Sequence, residues 1–268
     1  MKNAVLWITM VTLCAGPALA ADVARLPDVY VEGVPTSYEN EYNRGNALVA
    51  AVIQGTFYDL GPTYQAALDA NGFSTDLIYD PYGTWPEMDD YLMVLVSTAD
   101  MWWTYDWAAD DAILSAYLDG GGTCAVIGQD YLYTRIQGTS GFPTDYLGIA
   151  GATQDVNWAD EEVWWDGTGG GPLDGLSGYV PACFTDNPFF TDEIDPAASG
   201  VCQWTSATVP FPLEGGAATP TAIFSAVEFG CQDAAELEEI VAAMATWLDN
   251  FSPTQRSSWG RVKGQFRK

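Results

Sequence analysis

Short apolar runs alternate with stretches of helical periodicity along most of the chain. The continuous apolar runs cover residues 47–53, 91–96, 123–127 and 222–229. Runs of this length are typical of strands that are buried on both faces of a parallel sheet. The order of strands and helices predicts an α/β domain with a mostly parallel sheet.

Three segments between or after these runs have helical signals. Residues 62–70 begin with proline and are followed by Asn71 and Gly72, and residues 106–118 are followed by Gly120. Proline at a helix start and glycine at its end are common. Residues 233–248 form the clearest helix, with an Asp233 cap and apolar side chains three or four positions apart. A short strand is predicted at 77–79.

Residues 138–220 interrupt this alternation because they are rich in Gly, Pro, Asp, Thr and Trp and lack a sustained period. A structureless loop of that length is unusual in a compact domain. We therefore expect a long irregular insertion of short strands and loops at one end of the sheet. Either 28–32 or 47–53 provides the first core strand.

The first twenty residues have the pattern of a signal peptide. Lys2 precedes an apolar run, and Ala18-Leu19-Ala20 resembles a signal peptidase site. We expect cleavage after Ala20 and no membrane span afterwards, since no later run is long enough. The predicted divisions are 1–20 signal peptide, 21–45 N-terminal edge segment, 46–252 α/β domain with the insertion 138–220, and 253–268 basic tail.

Charge and composition exclude several kinds of chemistry. The chain has no histidine and a net charge of −27, and Arg135 is the only Lys or Arg between Arg44 and Arg256. Histidine is the usual general base near neutral pH, so Ser-His and Cys-His catalysis are excluded within this chain. Nucleic-acid binding depends on Lys and Arg, and we expect none.

Four cysteines remain beyond the predicted signal peptide, an even number that favours disulfides in an exported protein. Cys183 and Cys202 flank an irregular segment and form the preferred pair. Cys124 with Cys231 is the weaker remaining pair. A zinc site is not expected because there is no CxxC spacing and no histidine.

Three segments resemble a known family. YLMVLVSTAD at 91–100, DDAILSAYLDGGG at 110–122 and CAVIGQD at 124–130 are similar to flavodoxin-like, class I glutamine amidotransferase-like domains of secreted bacterial proteins. The resemblance covers roughly 46–150 and 220–250. It implies a flavodoxin-like three-layer sandwich with a mostly parallel sheet.

The resemblance also implies where a catalytic site would lie. Active members carry a nucleophilic Cys in the turn after the strand that corresponds to 123–127, with a His and a Glu after a later strand. Here Gln129 or its neighbour occupies that turn, Cys124 lies at the start of the strand, and no His exists. We therefore expect no catalytic residues of that kind, because fold alone does not carry function.

Polar residues follow several predicted strands, at the edge where open α/β sheets bind ligands. Clustered carboxylates in a chain with few cations need compensation by hydrogen bonds, by protonation or by a hard cation such as Ca²⁺. The alternative, which we prefer, is that these residues cap helices and turns. The candidate ligand pocket consists of Asp59, Asp80, Asp100, Gln129, Asp130 and Glu228.

Aromatic residues beside carboxylates raise the possibility of carbohydrate binding. The candidate aromatic surface consists of Trp102, Trp103, Trp107, Trp158, Trp164 and Trp165. Such side chains stack on sugars or anchor protein partners, and the alternative is that they pack the insertion onto the sheet. Glycoside hydrolysis needs two carboxylates and no His, but the sequence alone does not select a pair.

Together these patterns predict an exported non-catalytic binding or structural module in the periplasm, at the cell surface or outside the cell. Its expected partner is an unknown glycan or envelope protein, and the basic tail at 253–268 is a candidate for surface attachment. The alternatives are a carboxylate-based glycan-acting hydrolase and a domain with a purely structural calcium site. No other cofactor is expected.

Overall fold

The computed structural model of the protein describes residues 44–54, 56, 58–100, 107–129, 131–136, 141–157, 163–180, 191–206 and 213–251. These residues belong to one compact unit. The predicted signal peptide, the segment 28–32 and the tail at 253–268 lie outside the described residues.

The chain forms thirteen strands within the described ranges. They are β1 Gly45–Ala51, β2 Phe73–Tyr79, β3 Met93–Ser97, β4 Cys124–Ile127, β5 Ile149–Asn157, β6 Val163–Gly167, β7 Ser177–Val180, β8 Thr191–Pro196, β9 Val201–Cys202, β10 Trp204–Ser206, β11 Leu213–Glu214, β12 Gly216–Ala218 and β13 Ala222–Ser225.

The helices are α1 Gly61–Ala70, α2 Ala108–Asp119, α3 Tyr133–Ile136, α4 Phe142–Asp145 and α5 Ala234–Phe251, with 3-10 turns at Met88–Asp90 and Phe229–Cys231. None of these described helices combines the length and the apolar character needed to cross a membrane.

A mostly parallel sheet forms the centre of the molecule. Its strand order is β2-β1-β3-β4-β13-β12-β9, and the first five strands are mutually parallel. Strands β12 and β9 extend it in antiparallel pairing. Both lie within 138–220, so part of this segment is built into the central sheet.

Helices cover both faces of this sheet. Leu68 of α1 and Met244 of α5 share one hydrophobic cluster with Leu95 of β3. Leu114 of α2 belongs to a second cluster, on the opposite face, together with Val94. Successive residues of a strand point to opposite faces, which explains why Val94 and Leu95 serve different layers. The three-layer α/β arrangement predicted from the sequence is confirmed.

The helix and strand signals correspond closely to the elements observed. The run 47–53 forms β1, and the periodic segment 233–248 forms α5. The Oδ1 atom of Asp233 accepts hydrogen bonds from the backbone N–H groups of Ala235 and Glu236, both at 3.0 Å. These bonds satisfy two of the donors that a helix start leaves unpaired and confirm the predicted cap.

A smaller antiparallel sheet, with the order β11-β10-β6-β7, is also formed by residues of the 138–220 segment. Val163, Trp165 and Val180 on its inner side are buried in the same hydrophobic cluster as α1 and α5. Strands β5 and β8 form a separate antiparallel pair.

Both predicted disulfide pairings, Cys183–Cys202 and Cys124–Cys231, are wrong, since Cys124 and Cys202 carry free thiols. Cys124 is buried on the α2 side of the sheet, whereas Cys231 packs on the α1 and α5 side. The sheet therefore separates these two residues. Cys202 lies in the edge strand β9, with its sulfur 3.4 Å from the Thr168 hydroxyl. Cys183 is outside the described residues.

Candidate functional site

Three neighbouring parallel strands end at one edge of the central sheet, and buried polar residues follow each of them. Asp100 comes after β3, Gln129 after β4 and Glu228 after β13, and all three are fully buried. Because these strands are adjacent and parallel, their carboxyl ends meet at the same edge. We refer to this region as the strand-end cluster.

Backbone hydrogen bonds interlock the turns of the strand-end cluster. Thr98 donates its N–H to the carbonyl of Ile127 at 2.9 Å, and Gly128 donates to Ser225 at 3.1 Å. The N–H of Gln129 donates to the carbonyl of Ala99 at 3.3 Å. Ala99 has a φ of +46°, a left-handed conformation that costs energy for a residue with a side chain. Contacts on both sides hold this conformation in place.

Gly128 is required by the close approach of two of these turns. Its φ is +144°, and a Cβ atom at this position would lie 1.9 Å from the hydroxyl oxygen of Thr98. Only glycine fits this conformation and this distance without displacing the neighbouring turn.

Glu228 is the hydrogen-bonding centre of the cluster. Its carboxylate accepts hydrogen bonds from the Tyr64 hydroxyl and from the Ser97 hydroxyl, the latter at 3.4 Å. The backbone N–H of Gly230 donates to it at 3.0 Å, and the N–H of Ala99 donates as well. Four donors therefore surround a group that offers about four lone-pair positions.

Burial alters the ionisation of both members of the Tyr64–Glu228 pair. Desolvation raises the pKa of Glu228 to about 7, while its hydrogen bonds partly lower it. Desolvation, followed by the nearby Glu228 carboxylate, raises the pKa of Tyr64 well above its usual range. The Tyr64 hydroxyl therefore stays protonated near neutral pH and donates a hydrogen bond to the Glu228 oxygen.

The structure divides the predicted ligand pocket into two parts. Asp100, Gln129 and Glu228 meet at the strand-end cluster, and Asp130 lies outside the described residues. Asp80 accepts hydrogen bonds from the N–H groups of Ile53 and Gln54, at 2.9 and 3.0 Å. Asp59 accepts from the Gly61 N–H and the Tyr79 hydroxyl, both at 3.0 Å. Both aspartates thus make the turn and capping contacts that formed the alternative interpretation.

Arg135, in α3, lies buried in a second polar group. Its Nη2 atom is 2.6 Å from Oδ1 of Asp111. The guanidinium carbon lies 4.2 Å from the ring centroid of Trp107 and 3.9 Å from that of Tyr131. A planar guanidinium between aromatic rings is stabilised by cation–π attraction. This contact joins the start of α2 to the segment that follows β4.

The sequence interpretation missed Tyr64 and Arg135 as members of these groups. Tyr64 is an aromatic residue in an amphipathic helix, and nothing in its spacing distinguishes it from a core residue. Arg135 had a signal, because it is the only cation in a span of more than two hundred residues. An isolated cation in an acidic protein is a good candidate for a buried ion pair.

Asp192 in β8 is a second carboxylate that burial has strongly perturbed. Its Oδ1 atom accepts one hydrogen bond, from the N–H of Asp155 at 3.2 Å. Desolvation raises the pKa of Asp192 to about 7. Asp155 has a φ of +55° and lies where the register between β5 and β8 shifts. This residue belongs to the 138–220 segment and not to the strand-end cluster.

The predicted aromatic surface also divides. Trp107 and Trp165 are buried, and Trp165 makes an edge contact with Phe229 at 5.4 Å between ring centroids. Trp164 is 49% exposed and lies against Tyr179, with ring centroids 5.1 Å apart. Trp102, Trp103 and Trp158 fall outside the described residues.

Within the ranges that the structure describes, no group of three or more Cys, Asp or Glu residues is placed to hold a metal ion. The predicted calcium site therefore stays a prediction, since Asp130 and the acidic segment 158–162 are not among those residues.

No protein-family model and no curated protein matches the sequence. Solved structures do resemble it. A ThuA-like protein from Bacteroides uniformis aligns with 81% of this chain and 95% of its own, at 12% identity and a TM-score of 0.51. A GMP synthase component from Thermoplasma acidophilum aligns with 78% and 98%, at 12% identity and a TM-score of 0.50. The chain therefore has a flavodoxin-like, glutamine amidotransferase-like fold.

Proposed function

We propose that the protein is an exported, non-catalytic binding module on an amidotransferase-like fold. The observation that carries this proposal is the state of Glu228 at the strand-end cluster. This carboxylate is fully buried, and four internal donors occupy its acceptor positions. A general base has to reach the proton that it removes from a substrate. Because internal donors already occupy the Glu228 oxygens, we assign this residue a structural role.

The nearest thiol does not replace the missing nucleophile. Cys124 begins β4 and lies at the opposite end of that strand from Gly128 and Gln129. Burial raises the pKa of its thiol to about 12, so the reactive thiolate is scarce at neutral pH. A buried, protonated thiol behaves as a small apolar side chain.

Two features of the sequence support export. The first twenty residues have the charged, apolar and small-residue regions of a signal peptide. The large excess of carboxylates keeps an exported protein soluble through repulsion between like charges. The binding partner we propose is a glycan or another envelope component, with the tail at 253–268 available for attachment.

Assays of turnover test the non-catalytic part. We expect the wild-type protein to release neither ammonia from glutamine nor reducing ends from glycans. The variants Glu228→Gln and Cys124→Ser should match wild type in both assays. Turnover by wild type that either substitution abolishes would contradict the proposal, and it would show which of the two groups is used.

Fractionation of expressing cells tests export. We expect an extracytoplasmic product whose mass corresponds to a chain that begins at Ala21. Replacing Ala20 with leucine should leave a longer, membrane-associated precursor, whereas replacing Ala21 with serine should still give a cleaved product. A full-length wild-type product that stays in the cytoplasm would rule out export.

A further inference from the structure

The small antiparallel sheet has one buried side and one side that faces solvent. Along β6 the side chains alternate, so that Val163 and Trp165 are buried while Trp164 and Asp166 are exposed. Strand β7 pairs with β6 and follows the same alternation. We call the exposed side the outer face; its members are Trp164, Asp166, Ser177, Tyr179, Thr205 and Glu214.

Two aromatic rings form an apolar strip on the outer face. Trp164 pairs directly with Tyr179 across the two strands. Their ring centroids are 5.1 Å apart, and the planes are inclined by 34°. The side chains are 49% and 38% exposed, so solvent reaches both. The pair therefore offers one broad aromatic surface instead of two isolated rings.

A row of hydrogen-bonding side chains runs beside this strip. Asp166 is opposite Ser177 on one side and opposite Thr205 on the other, and Thr205 is opposite Glu214. Strands are about 4.8 Å apart, so the four side chains span roughly 14 Å. Asp166 lies two residues from Trp164, roughly 7 Å along the strand. One extended ligand can thus contact the rings and the polar row together.

We infer that the outer face binds a neutral polysaccharide. Sugar rings present C–H groups, which the negative faces of aromatic rings attract, and an edge of hydroxyl groups. Carboxylates accept hydrogen bonds from these hydroxyls, while serine and threonine both donate and accept. This inference rests on the proposed binding function and names the ligand class and its surface.

Charge decides against an anionic ligand. The outer face carries two carboxylates and no cation. Among the described residues the cations are Arg44, which pairs with Asp249 at 3.7 Å, and Arg135, which is buried. The net charge of −27 adds long-range repulsion. Nucleic acids, acidic glycans and anionic membranes are therefore unsuitable partners for this surface.

The composition also favours a glycan over a protein partner. The core of a protein interface is depleted of charged residues, and a stable interface covers about 800 Å² on each partner. Here two rings stand directly beside Asp166, with Glu214 in the same row. A strip of two rings beside a polar row corresponds better to the alternating apolar faces and hydroxyl edges of a sugar chain.

Binding titrations of the exported protein test this inference. The probes are cellohexaose and chitohexaose as neutral ligands and polygalacturonate as the anionic control. We expect at least one neutral hexasaccharide to bind. Trp164→Ala and Tyr179→Ala should each weaken that binding by roughly tenfold, the equivalent of one aromatic contact. Asp166→Ala should weaken it by a smaller factor, and polygalacturonate should not bind.

Matched variants separate a binding role from a structural one. Tyr133→Ala removes an aromatic side chain of similar exposure from α3 and should leave the affinity unchanged. Trp164→Phe retains an aromatic face and should recover part of the affinity, with the same melting temperature as wild type. If Trp164→Ala unfolds, Tyr179→Ala and Trp164→Phe provide the test.

Each result has a distinct meaning. The inference is overturned if neither hexasaccharide binds, if Trp164 and Tyr179 variants bind as wild type does, or if polygalacturonate binds more tightly. If a hexasaccharide binds but substitutions on the outer face do not change its affinity, this inference fails while the broader proposal of a binding module stands. Hydrolysis of a bound hexasaccharide would overturn the non-catalytic proposal and support the outer face as its binding surface.

Discussion

The strand-end cluster and the outer face use similar side chains for opposite purposes. Each places carboxylates beside aromatic residues, Glu228 with Tyr64 in one and Asp166 with Trp164 in the other. In the strand-end cluster the carboxylate is buried and internal donors surround it. On the outer face the corresponding groups remain exposed. Burial therefore determines whether such a group stabilises the fold or is available to a ligand.

The two regions also differ in how well they suit a ligand. The carboxyl ends of parallel strands are the usual ligand site of an open α/β sheet. Here that edge has become part of the packed interior, with Gly128 and Ala99 in strained or restricted conformations. The surface that we propose for binding lies instead on a sheet made from the 138–220 segment.

Among the buried polar groups, the largest expected effect comes from Arg135→Met. This change leaves the Asp111 carboxylate buried without its guanidinium partner, which typically costs 3 to 5 kcal/mol when a buried pair is broken. Urea unfolding should show a loss of about that size. The double variant Arg135→Met with Asp111→Leu should recover much of it, and a single-variant loss below about 1 kcal/mol would contradict the prediction.

Gly128→Ala should have the next largest effect. A Cβ atom would meet the Thr98 hydroxyl, and the backbone at +144° is unfavourable for alanine, so we expect a loss of about 3 kcal/mol. Gly170→Ala is the matched control, since its φ is also positive but no atom lies within 4 Å of the added Cβ. The control should lose only about 1 kcal/mol in the same unfolding experiment. Equal losses would show that the clash does not matter.

The ionisation of Glu228 predicts a pH dependence of stability. A carboxyl group whose pKa is raised in the folded state holds its proton longer than in the unfolded chain. Its contribution is therefore complete below about pH 4.5 and is lost as pH rises through about 7. Asp192 contributes with the same sign, through a pKa that is also raised to about 7.

Urea unfolding between about pH 4.5 and 8 measures this effect. The free energy of unfolding of the wild type should fall with rising pH by about 3 kcal/mol for each of the two groups. Glu228→Gln and Asp192→Asn should each flatten the profile in part, and the double variant should flatten it further. Profiles parallel to wild type would show that these carboxyls do not titrate in this range.

The smallest effect is expected on the outer face. Trp164→Ala should change the free energy of unfolding by less than about 1 kcal/mol because the side chain is half exposed. Its neighbour Trp165 is buried against Phe229, and Trp165→Ala should cost about 3 to 5 kcal/mol. Thermal melts of the two variants make the comparison. Similar losses would mean that Trp164 also has a structural role.

Much of the fold was predictable because its signals are local. The apolar run 47–53 and the periodic segment 233–248 each specify one element, and Asp233 specifies where a helix begins. The sequence placed six polar residues after strands, but only the spatial order of the strands shows that Asp100, Gln129 and Glu228 follow three neighbouring ones. The alternation Val163, Trp164, Trp165, Asp166 contained the outer face, but without strand boundaries it could not be distinguished from a buried aromatic pair.

The sequence by itself determined the alternation of strands and helices, the absence of histidine and the scarcity of positive charge, because these are properties of composition and short-range spacing. Only the tertiary structure decided that Tyr64 reaches Glu228, that Arg135 lies between two aromatic rings, and that the sheet separates Cys124 from Cys231. Those outcomes depend on which faces meet after packing. Burial sets the pKa of a carboxyl group and determines whether an aromatic ring is exposed to a ligand. Burial arises only when distant segments of the chain come together.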